Sequence, residues 1–121
     1  MIHGHVRDNF PRLTLALTGR EGPISIEFLI DTGFDGSLAL PTSLVMRLNA
    51  NYIMDEVVRM ADGTQRRRPV YETEIDWNGA SRSAYILVLD SGMPLLGVEM
   101  VADHSVYLEM TDGGEVTVDQ L

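Results

Sequence analysis

Phe28-Leu29-Ile30-Asp31-Thr32-Gly33 decides how this chain is read. Apolar residues run to a strand end and hand one carboxylate to a turn. Gly33 lets backbone come close to that carboxylate without a Cβ clash. An aspartate placed so, behind a buried strand, is a candidate for acid–base chemistry. Asp31 could also cap a helix or close an Asx turn. A second feature lies downstream: Pro94-Leu95-Leu96-Gly97 again brings apolar residues to a glycine.

The 121 residues fit one domain, and a 45% hydrophobic share provides for an ordered core. No cysteine is present, so disulfides and thiolate metal sites are excluded. The net charge is −9 and every basic residue is an arginine. That balance lacks the positive footprint that nucleic-acid binding requires, so no nucleic-acid partner is expected. No apolar stretch reaches the ~18 residues that cross a bilayer. The start of the chain has no basic, apolar leader pattern. A cytoplasmic protein without a membrane partner is the expectation.

Nearly every segment predicts β structure. Leu13, Leu15 and Leu17 alternate with smaller residues as a half-buried strand. A turn over residues 19–23 leads into a strand over 24–30. Residues 38–40 form a short strand, and 41–48 a helix opened by Pro41. Asp62-Gly63 marks a tight hairpin after Val57-Val58-Arg59-Met60. Its return strand alternates through Val70, Tyr71, Thr73, Ile75 and Trp77. Asn78-Gly79 turns into a buried strand over 84–89, and a short helix is expected over 98–103. Residues 105–110 and 115–118 read as a final hairpin around Asp112-Gly113-Gly114. The fold expected is all-β: a small closed barrel with a hairpin flap and one or two short helices. Residues 1–11 are expected to be a flexible or interface segment, and 111–121 to supply the C-terminal hairpin strand.

Asp-Thr-Gly after an apolar strand, an intervening hairpin and a late Leu-Leu-Gly together resemble the retropepsin-like (retroviral-type) aspartic peptidases. The resemblance runs from Leu13 to about Tyr107. It implies peptide hydrolysis with no cofactor and no metal. Two carboxylates hold one water; like charges at that range cannot both ionise, so one is the base and the other the acid. A single Asp-Thr-Gly then implies a homodimer with one aspartate from each chain. On this reading Asp31 is catalytic, Thr32 bonds across to the partner loop, and Gly33 offers backbone to a peptide or protein substrate. Asp35 sits where relatives often place a substrate-contacting acid. Met60, Ala61, Asp62 and Gly63 correspond to the flap tip, and Asp90 to a cleft wall. Phe34 replaces a small residue, and Val98 stands where retroviral enzymes carry an arginine. Those departures support an alternative: a non-catalytic module of the same fold that binds an extended peptide or partner protein.

Other polar clusters have simpler readings. Asp90-Ser91-Gly92 looks like a second catalytic turn, but too little chain follows to build a second lobe. Arg66-Arg67-Arg68 reads as a solvated strand edge, or as a surface for an acidic peptide. His3 and His5 offer two metal ligands without a third. His104 has no evident partner, and Trp77 and the methionines read as packing residues.

Overall fold

Strand periodicity governs the whole chain. The computed structural model describes all 121 residues. Its strands are β1 (Ile2–Arg7), β2 (Phe10–Gly19), β3 (Gly22–Ile30), β4 (Leu38–Pro41), β5 (Asn51–Arg59), β6 (Gln65–Trp77), β7 (Ala80–Leu89), β8 (Leu95–Leu96), β9 (His104–Leu108) and β10 (Glu115–Gln120). Two short helices, α1 (Thr42–Val45) and α2 (Val98–Val101), complete it. The class is all-β, as the alternation predicts.

The strands form one sheet in the order β5-β6-β7-β4-β8-β3-β2-β1-β10-β9. Leu17 of β2 also pairs with Ile75 of β6, joining the sheet back on itself. Side chains of alternate residues point inward from this curved surface. Leu13, Leu17, Phe28, Ile75, Ile86 and Leu96 are fully buried there. At about 1.5–3 kcal/mol for each large apolar side chain buried, this core is the main source of stability.

The N-terminal residues are an inner strand, which corrects the flexible reading. β1 pairs with β2 on one edge and with β10 on the other. Val6 is buried while His3, His5 and Arg7 point to solvent, the period-two pattern of a half-buried strand. Gly4 is required here, because a Cβ would lie 1.9 Å from the Arg12 carbonyl oxygen. Asp8 and Asn9, both at positive φ, make the tight turn into β2.

The helix expected over 41–48 stops after one turn. Competing contacts with the end of β2 explain why. The Arg20 N–H donates to the Arg47 carbonyl, and the Asn49 N–H donates to the Thr18 carbonyl. Leu48 also bridges Gly19, so the chain is drawn out along β2 instead of continuing to coil. α2 ends early as well, with Ala102 extended and Asp103 left-handed at φ 62°.

Candidate active site

β3 carries the apolar run to Ile30, and Asp31 emerges from its end. β8 lies beside it in parallel, Leu29 opposite Leu95 and Ile30 opposite Leu96. The Asp31 N–H donates to the Leu96 carbonyl at 2.9 Å. The Gly33 N–H donates to Asp31 Oδ1 at 2.9 Å, and the Phe34 N–H donates to the Asp31 carbonyl at 3.2 Å. The Asx turn is therefore present, and it orients the carboxylate. Asp31 is half-buried, while Thr32 and Gly33 are exposed.

The late glycine is explained by contact with the same loop. The Gly97 N–H donates to the Ser37 carbonyl at 2.8 Å, and the Val98 N–H donates to the Phe34 carbonyl at 3.0 Å. A Cβ on Gly97 would lie 2.1 Å from the Gly36 carbonyl oxygen. It would also lie 2.7 Å from the Phe34 ring, which packs against both Gly36 and Gly97. Phe34 thus wedges between the two glycine-bearing segments. Glu99 of α2 accepts a hydrogen bond from the buried Ser37 hydroxyl at 2.9 Å. This Ser37–Glu99 bond joins the helix to the loop. Neither residue stands out in the sequence, because a serine and a glutamate 62 residues apart carry no local pattern.

β5 and β6 form the expected hairpin. Its tip is closed by the Met60 N–H donating to the Thr64 carbonyl at 2.7 Å, with Gly63 at φ 87°. Thr64 donates to Asp62 through its N–H and its hydroxyl, and these bonds hold the Asp62 carboxyl below the usual carboxylate range. Met60, Ala61, Asp62 and Gly63 are all exposed.

Asp90 is engaged in an ion pair. Its Oδ1 lies 2.7 Å from Arg68 Nη1, and this hydrogen bond, with the guanidinium charge, lowers its carboxyl pKa. Arg68 is only 14% exposed at its side chain, so it departs from the solvated-edge reading. The pair links the return arm of the hairpin to the loop after β7.

A cavity of about 720 Å³ opens between the loop and the hairpin arm. Gly33, Phe34 and Asp35 line one side, Met54, Val57 and Arg59 the other. Asp31 and the hairpin tip lie outside this lining, as does Asp90. Of the acids expected to touch substrate, Asp35 alone faces the cavity. Of the apolar residues of β5, Val57 and Val58 were read as the arm entering the hairpin, but Tyr52, Ile53 and Met54 went unread: nearly the whole strand is exposed, so no burial alternation marks it.

His104 has a partner after all. Its Nε2 accepts from the Trp77 indole N–H at 3.1 Å, while Nδ1 lies 2.8 Å from the Ala102 carbonyl. The Arg82 guanidinium stands 5.0 Å over the Trp77 ring and donates to the Glu99 and Met100 carbonyls. This cluster fixes the C-terminal end of α2. No cluster of three or more histidine, aspartate or glutamate side chains has metal-binding geometry. No helix is long and apolar enough to cross a membrane.

Neither a family model nor a curated protein matches this sequence. Solved structures do. EIAV protease in complex with an inhibitor superposes with a TM-score of 0.59 at 22% identity, over 76% of this chain and 86% of that one. A retropepsin-like aspartic protease from Rickettsia conorii gives 0.59 at 14% identity, over 98% and 91%. Simian foamy virus protease gives 0.52 at 16% identity, over 74% and 91%. At these identities the likeness establishes the fold: the chain has the retropepsin-like architecture.

Proposed function

We propose that this chain is an aspartic endopeptidase that works as a homodimer, with one Asp31 from each protomer around a shared water. The observation that carries the reading is the placement of Asp31: a single carboxylate at the open end of β3, pinned through its N–H to Leu96 and through Oδ1 to Gly33. The resemblance of this fold to proteases supports it.

Two such carboxylates across a two-fold axis share a proton. The ionised one draws a proton from water, and the protonated one donates to the carbonyl oxygen of the scissile peptide. In this reading exposed Thr32 hydrogen-bonds the opposite loop, and the β5–β6 hairpin is the cover that excludes water. Asp35 lies in the substrate cleft, and Asp90 steadies the flap. The C-terminal hairpin offers the dimer contact through β9, whose outer edge is free and whose Tyr107 and Leu108 are exposed.

Digestion of a diverse peptide pool at several pH values, read by mass spectrometry, tests the activity. Cleavage by the wild type and not by Asp31→Asn is the expected result. A dimer that cleaves nothing would transfer the fold to the alternative, a peptide-binding module. Equal cleavage by both proteins would remove Asp31 from the chemistry.

A further inference from the structure

We propose that the cavity beside Asp35 is a specificity subsite for a lysine or arginine of an extended, otherwise apolar peptide. Asp35 and Glu56 receive the basic side chain. The proposal rests on the peptide-cleft reading above and adds the class of sequence the cleft selects.

Shape, apolarity and charge support it separately. β5 is the terminal strand of the sheet, so one of its edges has free N–H and C=O groups. An extended segment can lie along such an edge and complete its hydrogen bonds. The cavity gathers side chains that soluble surfaces usually scatter: Ile53, Met54, Val57 and Tyr85 are each 45–56% exposed and all line it. An apolar peptide would cover them.

The charges in the lining are unbalanced. Asp35, Glu56 and Glu99 stand against Arg59 alone. Of the neighbouring arginines on β6, Arg68 is paired with Asp90, a carboxylate that Arg66 also influences, and Arg67, opposite Val57, is not part of the lining. Glu99 is held by Ser37, whereas Asp35 is exposed on the loop facing β5. A peptide that seals the cavity strips water from these carboxylates. That loss is offset only if the peptide brings a cation, while an acidic residue would be repelled. A charge-assisted hydrogen bond to lysine or arginine supplies the match.

Binding to the full-length Asp31→Asn chain tests this apart from cleavage. The probes are labelled decapeptides of one apolar frame, with lysine, norleucine or glutamate at each position in turn, followed by fluorescence anisotropy. At one position lysine should bind roughly tenfold more tightly than norleucine, and glutamate more weakly than both. Adding Asp35→Asn and Glu56→Gln should remove the lysine preference, so that lysine and norleucine peptides bind alike. A preference that persists in that variant, no preference at any position, or no binding at all would overturn the proposal. The two readings fail separately. Wild-type cleavage without lysine selection removes the subsite alone; lysine-selective binding without wild-type cleavage removes the catalysis alone.

Discussion

The Asp31 N–H and the Leu96 carbonyl meet at 2.9 Å, tying the aspartate turn to the Leu-Leu-Gly segment 65 positions later. That bond explains why the two motifs belong together. β8 is only two residues long, yet it pairs with β3 on one side and β4 on the other. It is a brace inserted where the sheet would otherwise open beside the Asp31 loop.

Gly97→Ala tests the brace. Its Cβ would collide with the Gly36 carbonyl and the Phe34 ring, and the first of these is backbone that cannot swing aside. A loss of about 1–3 kcal/mol in urea denaturation is expected, as for other overpacked sites. Peptide cleavage should fall further than stability does, because the displaced segment orients Asp31. Unchanged stability would show that the loop is looser than these contacts imply.

Asp90→Asn tests the anchoring of the flap. Arg68 would lose its charged partner, and amide exchange across β5 and β6 should become several-fold faster while the other strands keep their protection. The pH dependence follows from the sign of the shift. The folded-state pKa of Asp90 is depressed, so the contribution of the pair is present above the unfolded value of about 3.9 and lost as pH falls through the folded one. Mildly acidic conditions therefore leave the pair intact. Flap exchange that rises steeply between pH 6 and about 5, well above that range, would contradict the assignment.

His104→Ala should leave the indole N–H of Trp77 without an acceptor in a largely buried position. The cost of such an orphaned donor is about 1–3 kcal/mol. Thermal denaturation reads the loss, and a shift in Trp77 emission reports its place, since this is the chain's only tryptophan. An unaltered emission spectrum would mean that the indole has found another partner.

Removal of residues 115–121 should abolish cooperative unfolding rather than only weaken association. β10 lies between β1 and β9 and buries Val116 and Val118 completely. Two strands would lose their partner, and total stability in such domains is only about 5–15 kcal/mol. A truncated chain that remains folded and merely becomes monomeric would place the terminus at the interface alone.

Much of this was legible in the sequence for a physical reason. Strands with one buried face write their geometry as alternation, which is why Leu13-Leu15-Leu17 and Val70 to Trp77 read correctly. Asp62-Gly63 and Asn78-Gly79 announced their turns through the need for positive φ. β1 was missed because Gly4 stands at its central inward position, replacing an apolar mark with a space for the Arg12 carbonyl. Only the end of β5, Val57 to Arg59, was read as the arm entering the hairpin; residues 51–56 were missed because an exposed arm has no buried face to record. At the site, Asp31 was visible through its strand and glycine. The Ser37–Glu99, Arg68–Asp90 and Trp77–His104 pairs were not, because contacts between distant segments leave no local pattern.

The central claim is that two Asp31 carboxylates form one site, and subunit mixing tests it most directly. Wild type and Asp31→Asn, combined in equal amounts and allowed to exchange, should retain about a quarter of the activity of the same total amount of wild type, since only wild-type pairs carry both carboxylates. Activity near one half would mean that each chain works alone, and the paired-aspartate account would be wrong.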